Sequence, residues 1–264
     1  MRTSLLMATL TGFALPLTAM AAPVASTAPP SVPAYVTAAM NDPARAADKK
    51  NDTRRQMAAV VIFAGIKPGD TVVELVPGSG YWTRVFSQVV GPKGHVYQVW
   101  PEQMMKYYGK AMAKWKTMAA TPHYANVGVL AESAARVAAP GKADVVFTAN
   151  NYHDYHNLGI SIAAFDKSVY DALKPGGVFI VIDHIAPAGS GVRDTDTLHR
   201  IDPAAVKKEI EAAGFVFDGA SKALINPKDP LNIPVFAKSI RGHTSQFIFR
   251  FRKPADAALK AKTH

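Results

Sequence analysis

Two short stretches hold side chains able to act as bases or ligands. "TANNYHDYHN", residues 148–157, carries Asn150, Asn151, His153, Asp154 and His156, and "IDHIAP", residues 182–187, carries Asp183 and His184. His199 follows in "TLHRIDP". Three chemistries use such a set. A histidine or aspartate acts as base toward an oxygen, nitrogen or carbon nucleophile, and the candidates for that catalytic role are His153, Asp154, Asp183 and His184. The same side chains, with His156 and His199, suit a metal; the His153-x-x-His156 spacing favours zinc, copper or nickel if a third ligand joins, and the metal's identity stays open. Asp and Asn also cap helices and satisfy loop backbones without further function. A serine hydrolase is set aside: no Gly-x-Ser-x-Gly occurs, and Ser79 lies in Pro-Gly-Ser-Gly.

Both stretches follow apolar runs, "DVVFTA" (144–149) and "VFIVID" (178–183), which read as neighbouring parallel strands. Strands side by side lie about 4.8 Å apart, so their carboxyl ends bring the polar set to one rim. The same rim receives "VVELVPGSGYWTRVF", Val72 to Phe86: a strand, a turn through Pro77-Gly78-Ser79-Gly80, and a helix with Trp82, Val85, Phe86 and Val89 on one face. Such a turn lets backbone approach a ligand and aims free helix N–H groups at it. A dinucleotide fingerprint wants a third glycine where Thr83 stands, and no Gly-Lys-Ser/Thr of a phosphate loop exists.

Strand and helix patterns alternate along the chain. Strands are expected at Thr71–Val76, His95–Trp100, Val127–Leu130, Asp144–Ala149 and Val178–Asp183, with one broken strand or two short ones between 215 and 224 and an alternating strand at Ser245–Arg252. Helices are expected over Asn51–Ile66, Tyr81–Val90, Pro101–Met118, Ala163–Leu173 and Pro203–Ala213. Residues 185–199 and 225–243 are long loops of the kind that form lids or binding surfaces.

"GDTVVELVPGSGYWTRVFSQVVGPKGHVYQV" resembles the first motif of class I S-adenosylmethionine-dependent methyltransferases, nearest to the protein-isoaspartate and tRNA-adenine types. "LKPGGVFIVID" resembles the family's fifth strand, "IEAAGF" the helix end before the sixth, and "SQFIFRFRKP" the antiparallel seventh; the resemblance covers roughly residues 50–254. It implies an α/β fold with a doubly wound, mostly parallel seven-stranded sheet and an antiparallel strand near the C-terminus. It implies S-adenosyl-L-methionine as cofactor and methyl transfer to an unknown acceptor. Glu74, Pro77, Gly78, Ser79, Gly80 and Thr83 then form the cofactor loop, Glu102 and Glu132 fall near its ribose and adenine, and Asn150 closes the set. Two departures stand out. Pro77 replaces a glycine and removes one N–H donor. Trp100 stands where the family has the acid that takes both ribose hydroxyls. The alternative on the same scaffold is a non-enzymatic protein that binds a metal or small ligand through His153, His156, His184 and His199.

The formal charge of +10 is scattered, with no basic run of five and no nucleic-acid-binding motif, so no nucleic-acid partner is expected. Residues 1–21 read as a signal peptide: Arg2, the apolar Leu5–Met20, and Ala19-Met20-Ala21 as a small-x-small cleavage site. An exported product, periplasmic or secreted, is expected, with no transmembrane segment after removal of the signal. Residues 22–45 are a Pro/Ala-rich linker without a stable helix, 46–254 the methyltransferase-like domain and 255–264 a basic tail.

Overall fold

The apolar runs become a seven-stranded sheet in the computed structural model, which describes residues 31–255. The expected signal peptide, the part of the expected linker up to residue 30 and the expected tail from residue 256 lie outside the described residues. The strands are β1 (Thr71–Leu75), β2 (His95–Pro101), β3 (Val127–Glu132), β4 (Ala143–Ala149), β5 (Leu173–His184), β6 (Val216–Ser221) and β7 (Gln246–Arg252). Their order is β3-β2-β1-β4-β5-β7-β6. β1 to β5 are parallel, and β7 runs antiparallel between β5 and β6. This is the expected α/β fold. The order reverses at β1 and β4, and the crevice beyond their carboxyl ends is where open α/β sheets bind ligands.

Helices α1 (Ala34–Asn41), α2 (Met57–Ala64), α3 (Tyr81–Val90) and α4 (Met105–Ala119) contribute to the core on one face. The helices α6 (Ile162–Ala172) and α7 (Pro203–Ala212) cover the other, and α5 is the short turn Tyr152–Tyr155. The period-two pleat divides β5 between the two cores: Ile180 and Ile182 face one side, Phe179 and Val181 the other. Both faces are dry, which is why the strands read as unbroken apolar runs.

Several elements differ from the sequence expectation. The stretch 22–45 was expected to lack a stable helix, yet its described part forms α1, with Val36 and Ala39 fully buried. Pro33 stands immediately before the helix, where a missing N–H costs nothing. Lys174-Pro175-Gly176-Gly177, expected as a turn before β5, is an excursion inside it: Leu173 pairs with Ala143 and Val178 with Val145. The two long loops are pinned together. Arg200 makes a bidentate pair to Asp229 at 2.9 Å, both side chains fully buried, and also donates to the Ile185 and Ile233 carbonyls. Among the described residues no helix is long and apolar enough to cross a membrane.

Candidate active site at the carboxyl edge of the sheet

β1 ends in strained backbone. Val76 adopts φ +48°, a left-handed conformation that a β-branched residue rarely takes, and Asn150 at the end of neighbouring β4 has φ +62°. Asn151 joins the two strand ends, its amide donating to the Ala149 carbonyl at 2.6 Å and the Val76 carbonyl at 3.3 Å. Strain of this kind costs about 1–3 kcal/mol per residue and persists where the surroundings over-determine it.

The two glycines of the turn have different reasons to be glycine. Gly78, at φ +58°, has open space where a Cβ would be, and lines a cavity of about 180 Å³ with Arg55, Glu74, Ser79 and Asn150. Gly80, at φ +77°, lies under the Trp115 indole, which would be 2.0 Å from an added Cβ. Gly80 is therefore packed by the protein itself and does not line this cavity. Pro77 does line it.

Glu74 begins a buried polar chain. Its carboxyl accepts from the Thr83 hydroxyl, Gln98 Nε2 donates to Thr83 Oγ1 at 2.7 Å, and Trp100 Nε1 donates to Gln98 Oε1 at 3.1 Å. Burial pushes Glu74 up to about 8 against the Thr83 hydrogen bond and the charges of Arg84 and Arg55, so the carboxyl is largely protonated at neutral pH. Thr83 thus orders Glu74 rather than facing the cavity. Trp100, in the position of the family's ribose-binding acid, is fully buried and committed to this chain. Glu102 is exposed and Glu132 sits 3.9 Å from Arg136; neither lines the cavities described here. Gln103 bridges onward to the loop after β3, accepting from the Ala134 N–H at 2.9 Å.

Arg55, one of the scattered basic residues of the sequence, is mostly buried beside Glu74. Its guanidinium lies 4.5 Å from the Tyr81 ring centroid, and its Nε has no hydrogen-bond partner among the described residues. Burial, with the charge of Arg54, lowers its pKa. Asn150 Oδ1 is likewise buried and unpartnered.

The polar set forms around Asp183 at the end of β5. Asp183 is fully buried; Oδ2 accepts the His153 backbone N–H at 2.8 Å, and Oδ1 accepts the His184 backbone N–H at 2.7 Å while lying 2.8 Å from His153 Nδ1. Burial alone would lower His153, but the Asp183 charge and hydrogen bonds with Asp154 and Asp183 outweigh it and raise the imidazole to about 10. Asp183 is held down in turn by His153 despite its own burial. His184 behaves oppositely: burial drives it to about 4 against the pull of Asp183, and its Nδ1 pairs with Thr244 Oγ1 at 2.8 Å. The far nitrogen of His153, Nε2, lies 3.2 Å from His199 Nδ1 and 3.3 Å from Asp154 Oδ1. His153, Asp154, His184 and His199 line a second cavity of about 840 Å³ together with Tyr108 and Phe236, the Phe236 ring centroid lying 4.9 Å from that of His199. His156 is not part of it; its Nε2 is 3.2 Å from Glu209. A third cavity of about 730 Å³ is lined by Lys50, Arg54, Arg55 and Leu224. Asn150 lines all three.

The sequence model of the protein-L-isoaspartate(D-aspartate) O-methyltransferase family matches residues 32–216, from just before α1 to the start of β6. The chain belongs to this family. Its described fold is that of class I S-adenosylmethionine-dependent methyltransferases. Among relatives of the family, the chain is similar to protein-L-isoaspartate O-methyltransferases of Methanosarcina mazei (30% identical over 124 residues, 46% of this chain and 42% of the relative) and Ignicoccus hospitalis (28% over 127 residues, 47% and 52%). The chain thus spans about half the length of the curated relatives it matches. The fold is shared with a SAM-dependent methyltransferase from Aquifex aeolicus, at TM-score 0.52 and 19% identity, over 81% of this chain and 95% of that one.

Proposed function

We propose that this protein is an S-adenosyl-L-methionine-dependent methyltransferase whose acceptor is a carboxylate, of the isoaspartyl type carried by its family. The carrying observation is the strained Val76-Pro77-Gly78 turn, open at Gly78 onto a cavity that holds the Arg55 guanidinium and the Glu74 carboxyl. The Arg55 cation suits an amino acid's carboxylate, and the oxygens of Glu74 and Asn150 suit its ammonium as hydrogen-bond acceptors. Arg55 would hold the cofactor's carboxylate through its unpartnered nitrogen, and Glu74 with Asn150 Oδ1 would face its ammonium. At about 180 Å³ the cavity takes only that end, and the remainder of the nucleoside would have to extend into one of the two larger cavities that Asn150 also lines. The ribose end fits less well, because Trp100 offers no acid to the diol. The bound cofactor supplies an electrophilic methyl on a sulfonium.

A carboxylate oxygen is already a nucleophile, so this transfer requires positioning more than proton removal. Cationic and hydrogen-bonding groups at the wall of the 840 Å³ cavity, His153, His199 and Lys106, provide it. Incubation with methyl-labelled cofactor and an isoaspartyl peptide tests the reading: base-labile label on the peptide is expected, and label-free peptide at saturating cofactor would reject the acceptor. A second reading, a ligand-binding protein that has lost transfer, is favoured by Trp100 alone; it predicts cofactor binding without label on any carboxylate peptide. Export is also proposed, supported by Arg2, the apolar Leu5–Met20 run and Ala19-Met20-Ala21. N-terminal sequencing of the chain from a bacterial periplasmic fraction should begin after Ala21; a chain retained in the cytoplasm at full length would contradict it.

A further inference from the structure

We infer that His153, Asp154 and His199 form a binding site for a divalent first-row transition metal in the wall of the 840 Å³ cavity. The inference stands on the geometry of these residues and does not depend on methyl transfer. Their facing atoms, His153 Nε2, Asp154 Oδ1 and His199 Nδ1, form a triangle with edges of 3.2, 3.3 and 3.7 Å. Metal bonds of about 2.1 Å set ligand-to-ligand edges of about 3.0 Å in an octahedron and about 3.4 Å in a tetrahedron. The triangle therefore has the dimensions of three ligands on one face of a single ion.

The surroundings prepare each ligand. Asp183, whose two carboxylate oxygens each accept one backbone N–H, holds His153 Nδ1 at 2.8 Å from Oδ1 and so turns Nε2 toward the other two atoms, where a bound metal would take the place of the Nε2 proton. This is the carboxylate–histidine arrangement that orients and strengthens metal-bound imidazoles. His199 comes from a long loop and has φ +53°. It is held from both sides in sequence: the Leu198 carbonyl accepts the Val235 N–H at 3.1 Å, and Arg200 is clamped to Asp229 at 2.9 Å. Two imidazole nitrogens and one carboxylate oxygen match zinc, iron, cobalt or nickel better than magnesium or calcium, which prefer all-oxygen shells. Three protein ligands leave positions open, and these face the cavity, where an oxygen of a bound ligand is the natural further donor. His156, 3.2 Å from Glu209, and His184, bonded to Thr244, take no part.

The test uses the full chain purified without a histidine tag, stripped with a chelator, and titrated with Zn²⁺ alone by calorimetry, with metal content measured after desalting. About one equivalent per chain is expected, and Co²⁺ should give the visible absorption of a four- or five-coordinate site. His199→Ala and Asp154→Asn should each weaken Zn²⁺ binding at least about tenfold, and Asp183→Asn roughly 10–100-fold through its effect on His153. His123→Ala, at an exposed histidine elsewhere, should leave affinity unchanged. Retention of only a small fraction of an equivalent by the wild-type chain overturns the inference, whether or not the variants fold. So does stoichiometric uptake that survives both His199→Ala and Asp154→Asn.

Discussion

Replacing each glycine of the Pro77-Gly78-Ser79-Gly80 turn by alanine should produce opposite phenotypes. Both residues sit in the left-handed region, at φ +58° and +77°, where a Cβ costs about 1–2 kcal/mol. At Gly78 that is the whole structural cost, because nothing lies within 4 Å of the new methyl. At Gly80 the methyl would fall 2.0–2.2 Å from three atoms of the Trp115 indole, which is 1% exposed. Displacing that ring adds the penalty of an overpacked core, about 1–3 kcal/mol. Gly80→Ala should therefore lose roughly 2–5 kcal/mol and Gly78→Ala roughly 1–2 kcal/mol. For a domain of this size 1 kcal/mol shifts the melting temperature by about 2–4 °C. The thermal shifts should separate accordingly, to about 4–20 °C for Gly80→Ala against about 2–8 °C for Gly78→Ala. Cofactor binding should rank the other way at a temperature where both variants are folded, since only Gly78 lines the cavity. The double variant Gly80→Ala/Trp115→Ala should be less destabilised than the sum of its parts, because the clash vanishes with the indole. Equal melting losses, or additivity in the double variant, would refute the assignment of Gly80 to packing.

Three further outcomes follow from the same contacts. Glu74 binds its proton more tightly in the folded protein than in the unfolded chain, so its share of stability is full below about pH 4.5 and is lost as pH rises toward about 8. Glu74→Gln should flatten that decline, read from urea midpoints at pH 5 and pH 8; an unchanged slope contradicts a protonated Glu74. Arg200→Ala strands Asp229 and should cost about 3–5 kcal/mol in chemical denaturation, while a loss below about 1 kcal/mol would mean the loops are not clamped by this pair. Asn151→Ala removes the donor shared by Val76 and Ala149 and should cost about 1–3 kcal/mol, measured the same way; a neutral variant would remove Asn151 as the staple of the strained strand ends.

Elements with local signals at both ends were legible in the sequence. α3 runs over Tyr81–Val90 as expected because Gly80 and Gly91 bracket it and its apolar face has helical spacing. The meeting of His153 with Asp183 was legible too, since adjacent parallel strands ending in polar residues must present them together. What was hidden depends on long-range contacts with no local signature. The join between His199 and His153 is fixed by the Arg200–Asp229 clamp across two loops. The burial of Arg55 reflects the placement of residues 51–56 against the carboxyl end of β1, whereas "DTRRQ" reads as solvated charge. Trp115 carries no local sign that it packs on Gly80, and a turn glycine filled by an indole has the same sequence as one left open for a ligand. The proline content around α1 masked a helix because Pro33 stands just outside it, as its N-cap, where a missing N–H breaks no helical hydrogen bond.

The central claim is that Arg55 and the open Gly78 turn bind the amino-acid end of S-adenosylmethionine. Calorimetric titration of the wild-type chain and Arg55→Ala with S-adenosylhomocysteine tests it most directly. Saturable one-site binding is expected for the wild type, weakened about 10–100-fold in the variant as a charged hydrogen-bond partner is lost. Absence of binding to the wild type at millimolar ligand, or equal affinity in the folded Arg55→Ala variant, would contradict the account.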